Sequence, residues 1–273
     1  MDRAVASHGP CGKTALDIAC HDLLGKKGGL PVYKLLGGEK NYIETDITVG
    51  INKPEIMAAK AAAHVKQGFN VIKTKVGTGT AEDIARMKAI REAVGPDVKI
   101  RVDANQAWTA KEAVNIIERL NEYDLELCEQ PVRADDIEGL AYVTAHTSVP
   151  IMSDESCFNA HDALRLVSAR AVDIVNIKLM KCGGIREAQK INAICEAAHI
   201  PVMLGCMVEE TNIGVTAAAS LGAAMRNITR ADLDATFTLT RLPFKGGMTV
   251  EDTRKIVLPE KPGFGFIGLD SWD

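Results

Sequence analysis

Five ionisable residues recur along the chain at a nearly constant interval. Lys75, Asp103, Glu129, Asp154 and Lys178 are separated by 28, 26, 25 and 24 residues. A lone Asp behind a strand is ordinarily a turn former or a helix cap, and a lone Lys a solvated charge. An ordered Lys, Asp, Glu, Asp, Lys series at one repeat length asks for another account. Three carboxylates at neighbouring strand ends would repel one another unless a cation lay among them. Their donors are all oxygen, without His or Cys, which suits a hard ion such as Mg2+. Such an ion together with a positioned amine can remove a proton from carbon. A carbon acid beside a carboxylate is very weakly acidic, and it yields its proton when a metal stabilises the enediolate and a base is held at the right distance. Lys75 would serve as that base once neutral, a state favoured by positive charge from Lys73 and the metal. Lys178, on the opposite flank, could deliver a proton to the other face and invert the stereocentre.

Those positions presuppose a scaffold that presents successive strand ends to one place. Short β-rich runs lie at 44–49, 71–76, 99–103, 125–129, 151–154, 174–178, 202–204 and 231–234. Between them stand helical patterns with proper ends. Pro54 opens one helix and Gly68 stops it. Thr80 caps the next, which ends at Gly95-Pro96, and Thr109 with Glu112 forms a capping box for the one after. Asn159 is a further cap candidate. Runs such as Val71-Ile72 and Ile174-Val175 are apolar on both faces, as buried parallel strands are. Strand and helix alternating about every 26 residues predict right-handed βαβ units. Eight strands with seven intervening helices predict an α/β fold, a TIM-type (β/α)7β barrel, whose functional residues sit at the C-terminal strand ends. An open doubly wound sheet is the competitor, but it rarely runs to eight units of such even length.

Composition narrows the partners. A net charge of −4 advertises neither nucleic acid nor an anionic membrane. The opening MDRAVASHGP carries Asp2 and His8 without an apolar core, so no secretory signal is visible, and no stretch approaches the roughly 18 apolar residues of a spanning helix. The seven cysteines have no CxxC pair and read as reduced thiols of a cytoplasmic protein. A GxGxxG match at 263–268 lies too near the C-terminus for a following helix, and Gly183-Gly184 reads as a tight βα turn. The histidines form no HxxxH or HxH pair, and no Gly-x-Ser-x-Gly elbow is present. A small-molecule substrate is expected, and oligomeric state stays open.

The sequence resembles the enolase superfamily in its muconate-lactonizing subgroup. The resemblance rests on KTK at 73–75, VDANQAW at 102–108, EQP at 129–131, SDES at 153–156, NIKLMKCGG at 176–184 and GCMVEE at 205–210. It implies Mg2+ on Asp103, Glu129 and Asp154, with Lys75 and Lys178 as general acid and base, a pattern already established for that superfamily. It also implies pocket positions at Thr48, Lys73, Cys206 and Val208, although Cys206 reads equally as a small buried hydrophobe. The last run ends Ala231-Asp232-Leu233-Asp234. A period of two would put Asp232 and Asp234 on one side of the strand, where two anions suit the terminal ammonium of a dipeptide. This is similar to dipeptide epimerases of the L-Ala-D/L-Glu type. DLD as a plain polar turn is the bland alternative. Muconate cycloisomerase, N-acylamino-acid racemase and o-succinylbenzoate synthase chemistry remain open, as does a catalytically impaired metal-binding remnant.

The resemblance also implies domains. Residues 1–40 are expected to be the last helix and linker of an α+β capping domain, with 14–24 and LPVYKLLGG at 30–38 as its tail. Residues 41–240 are expected to form the barrel, and 241–273 a segment packing back toward the cap. The strands that should precede this tail are not in the sequence, so weak or absent turnover is expected.

Overall fold

A computed structural model of the protein describes residues 9–270, so Asp2 and His8 lie outside the described residues. Eight parallel strands take chain order in one sheet: β1 (Ile47–Val49), β2 (Val71–Lys75), β3 (Lys99–Asp103), β4 (Leu125–Glu129), β5 (Ile151–Ser153), β6 (Ile174–Lys178), β7 (Val202–Gly205) and β8 (Ile228–Asp232). Apolar residues fill them: Ile72, Ile100, Leu127, Val175, Met203 and Leu204 are fully buried. Among the described residues no helix is long and apolar enough to cross a membrane.

The chain divides into two compact units. One spans Asp46–Cys157 and takes in His161–Asn176. Its helices begin and end on local chemistry. Pro54 starts the helix Pro54–Gln67, and Gly68, at φ 118°, closes it. The capping box of Ala110–Leu120 forms, with the Thr109 amide and hydroxyl both donating to Glu112 Oε2, at 2.9 and 2.7 Å. Thr80 is the first residue of its helix rather than the cap, which falls at Gly79. Asn159 directly precedes the helix Ala160–Ser168.

The other unit holds the chain up to Thr45, residues Phe158–Ala160, and Ile177 onward. Here the run expected at 44–49 divides. Tyr42–Glu44 pairs antiparallel with Lys255–Val257, and the Thr45 amide continues that pairing by donating to the Arg254 carbonyl at 3.0 Å. The run expected at 231–234 also shifts. Strand β8 ends at Asp232, because the Leu233 amide donates to Thr45 Oγ1 at 2.7 Å, and Asp234 takes the N-cap position of the helix Ala235–Thr238. The connection after β6 is two helices, Leu179–Cys182 and Ile185–Ala197, broken at Gly183 and Gly184. Asp17, buried on the helix Pro10–Gly28, explains the break. Its Oδ2 accepts the Ile185 amide at 2.6 Å and so caps that helix from another part of the chain. Gly184 has φ 113°, and a Cβ there would fall 2.5 Å from Asp17, so both conformation and close approach require glycine.

Glu210 closes the turn behind β7. It is 7% exposed, and its Oε2 accepts the Met207 amide at 2.9 Å. Burial pushes its carboxyl up to about 7 from 4.5, against the opposing pull of that amide and the Lys178 charge. The folded protein therefore holds this proton to higher pH than the unfolded chain. The associated stabilisation is complete below about 4.5 and lost as pH rises toward 7.

Two outcomes follow. Asp17→Ala should lose about 1–2 kcal/mol in urea unfolding, and Gly184→Ala at least as much; unchanged midpoints in both would show that this cap holds nothing. Between pH 5 and 7.5 the native protein should lose more stability than Glu210→Gln, by on the order of 3 kcal/mol. Parallel stability curves for the two proteins would contradict the burial of an acid there.

Candidate active site

Strand register brings the first part of the Lys-Asp-Glu-Asp-Lys series to one level. Lys75 is the Cα partner of Asp103, and Asp103 of Glu129. Partnered residues on adjacent strands face the same way. Asp154 comes just past β5, whose Met152 pairs with Glu129. All three acids are buried, Asp103 and Glu129 completely.

Lys73, one pleat earlier on β2, is 2% exposed and turns its charge into this group. Its Nζ lies 3.2 Å from Asp103 Oδ2 and 2.6 Å from Glu129 Oε2. Lys75 Nζ stands 2.6 Å from the same Asp103 oxygen and donates to Asn105 Oδ1 at 2.9 Å. Burial alone would force a proton onto Asp103. The Lys73 and Lys75 ammoniums outweigh it and hold the carboxyl below the usual range, against a smaller opposing push from Asp154. Thr48 is half-buried on β1 as the register partner of Lys73.

The loops behind β3 and β4 aim these groups through left-handed backbone at residues other than glycine. Asn105 (φ 41°) donates its amide to Asp103 Oδ1 at 2.9 Å and its Nδ2 to Glu155 Oε1 at 3.2 Å. Gln130 (φ 36°) accepts the amides of Asp154 and Ser156 on Oε1, at 2.8 and 3.2 Å, and donates Nε2 to Ser156 Oγ and the Val132 carbonyl. The backbone at Asp154 is thus fixed from the neighbouring strand. Asn176, on β6, donates Nδ2 to Glu129 Oε1 at 2.7 Å.

In the unit that takes in the chain from Ile177 onward, Lys178 is half-buried at the end of β6. Gly205 of β7 partners Asp232 of β8, and the Cys206 amide donates to the Asp232 carbonyl at 3.0 Å. Cys206, Asp232 and Asp234 each bring a ligand atom within 4.8 Å of the others. The two carboxylates therefore converge, though through a strand end followed by a helix cap and not through the pleat of one strand. Burial, with Asp232, Asp234 and Glu210 adding to it, pushes the Cys206 thiol well above its usual range, so it stays protonated. Val208 is 91% exposed.

An oxygen-only set of three buried acids fits a hard divalent cation. Two ammoniums, Lys73 and Lys75, are outnumbered by Asp103, Glu129 and Asp154, so charge also favours one. Among the described residues no trio but Cys206, Asp232 and Asp234 meets the 4.8 Å spacing, so the three acids stand wider, with the Lys73 amine contacting two of them. Asn105, Gln130, Asn176 and Glu210 were not among the expected site residues. The first two sit in VDANQAW and EQP, where only the acids were singled out, and Asn176 and Glu210 are uncharged or flanking positions of NIKLMKCGG and GCMVEE.

Residues 56–268 match the family described as Enolase C-terminal domain-like. The chain is 58% identical over 265 residues to the hydrophobic dipeptide epimerase of Enterococcus faecalis, covering 97% of this chain and 75% of that protein. It is 48% identical to the L-Ala-D/L-Glu epimerase of Bacillus subtilis, covering 94% and 70%. The Enterococcus faecalis dipeptide epimerase solved with Mg and the dipeptide L-Leu-L-Tyr superposes with a TM-score of 0.94 at 58% identity, over 96% of this chain and 74% of that one. The strand order, the strand-end acids and these likenesses agree: the chain has the (β/α)7β barrel fold and belongs to the enolase C-terminal domain-like family, among its epimerases and racemases.

Proposed function

We propose that this protein is a Mg2+-dependent isomerase that epimerises a dipeptide at the α-carbon of its C-terminal residue by 1,1-proton transfer. The observation that carries this reading is the pairing of Asp232 and Asp234 beside Cys206. Two converging carboxylates at the end of β8 suit the free ammonium of a dipeptide and have no counterpart in an N-acylated or purely carboxylic substrate. The likeness to proteins named dipeptide epimerases, one of them solved with Mg and a dipeptide, supports the same assignment.

In this reading Asp103, Glu129 and Asp154 hold the ion. When bound, Mg2+ supplies positive charge to the substrate carboxylate as its α-carbon loses a proton. The chain's own groups do the remainder. Lys75 takes the α-proton from one face, held in place by Asn105 and Asp103. Lys73 sets positive charge against Asp103 and Glu129 at the edge of the pocket. Lys178 returns a proton to the opposite face. Asp232 and Asp234 anchor the ammonium, and Thr48, Cys206 and Val208 line the substrate's path.

The test is α-hydrogen exchange with solvent deuterium, followed by NMR over a dipeptide library. Exchange should require Mg2+ and vanish with chelator. Lys75→Ala and Lys178→Ala should each abolish epimerisation and confine any residual exchange to one epimer, opposite for the two variants. Asp232→Asn or Asp234→Asn should lower kcat/KM for dipeptides by at least about 30-fold, the scale of an unpaired buried charge. N-acylamino acids turned over by the native protein, and untouched by those two substitutions, would place it with the racemases instead. Absence of exchange with every dipeptide at high enzyme and Mg2+ would reduce it to a metal-binding remnant.

A further inference from the structure

Both oxygens of Glu129 are addressed, and by groups of different kinds. Oε1 accepts the Asn176 amide at 2.7 Å. Oε2 lies 2.6 Å from Lys73 Nζ, as an ion pair without hydrogen-bond alignment. Glu129 and Asn176 are both fully buried. A carboxylate only accepts, so the NH2 end of the amide must face it. Asn176 is uncharged and embedded in a buried strand, so it cannot be exchanged for a cation. An ammonium on a flexible stem can yield to one.

We propose that Asn176 is a metal-specificity residue: by holding Oε1 in a hydrogen bond it biases Glu129 toward binding through one oxygen and thereby favours Mg2+ over Ca2+. The inference rests on the reading of Asp103, Glu129 and Asp154 as the Mg2+ site. Mg2+ takes about six oxygens in a tight octahedron and has no use for a second oxygen of one carboxylate. Ca2+ takes about six to eight at longer range and commonly accepts both oxygens of a Glu. A neutral amide that holds one of them back penalises the larger ion. Asn176 lies two residues before Lys178 on β6. One strand thus carries both a residue that tunes the ion's ligand and an amine proposed to move the proton.

The measurement is divalent-cation binding to the full chain, by titration calorimetry and by displacement of Mn2+ followed by electron paramagnetic resonance. The native protein should bind Mg2+ more tightly than Ca2+. Asn176→Ala should weaken Mg2+ by about 10–100-fold, the usual effect of losing such a partner. Ca2+ should weaken less or tighten, so that the Mg2+/Ca2+ affinity ratio falls at least about tenfold. Asn176→Leu keeps the number and branching of the side-chain atoms and serves if the alanine variant does not fold, as judged by circular dichroism. A ratio within about threefold of native in either folded variant overturns the proposal. So does a native protein that holds Ca2+ as tightly as Mg2+, whatever the variants do. A native protein whose cation binding is absent, or indifferent to Asp103→Asn, would instead overturn the metal site itself.

Discussion

The ammonium of Lys73, held between two fully buried carboxylates, is the interaction on which the site depends. Each of these charges taken alone would cost several kcal/mol to bring out of water. They are tolerable only as a set, and removal of one member would strand the others, at about 3–5 kcal/mol. Lys73, Lys75, Asp103 and Glu129 therefore behave as one electrostatic object spread over three strands. Its assembly rests first on the parallel register in which Lys75, Asp103 and Glu129 come level, and the loop residue Asn105 then holds Asp103 and Lys75 in place.

That dependence on register is why so much could be read from the sequence. A strand-and-helix repeat of even length puts strand ends at even intervals, and a charged residue closing an otherwise apolar run is conspicuous. Lys75, Asp103, Glu129 and Lys178 stand at strand ends, and Asp154 one residue past its own. What escaped was the neutral support. Asn176 lies inside a buried strand, where an amide looks like an ordinary polar interruption, and its role appears only when β4 is known to present Glu129 to it. Gln130 is a tie between strands that depends on an unusual backbone angle, which residue type does not announce.

The misplaced boundaries have a common physical origin in contacts distant along the chain. Local pattern marked 44–49 as one strand, but the pairing of Tyr42–Glu44 with Lys255–Val257 divides it. The same region decides the end of β8, since Thr45 takes the Leu233 amide that a longer strand would have used. Asp17 acts likewise on the broken connection after β6. Propensity and periodicity see only neighbours in sequence, and hydrogen bonds between remote segments override them.

The left-handed residues behind β3 and β4 set a limit on how far this protein can be made more robust. Asn105 and Gln130 hold a conformation that glycine adopts without penalty, so glycine at either would relieve backbone strain of on the order of 1 kcal/mol. The same exchange would delete the amide oxygen that steadies Lys75, or the one that pins Asp154. At Gln130 the exchange would also leave the buried Asp154 and Ser156 amides without that acceptor, so the strain is kept because the side chain is needed. An engineer seeking a hardier barrel would do better to spend substitutions far from the strand ends.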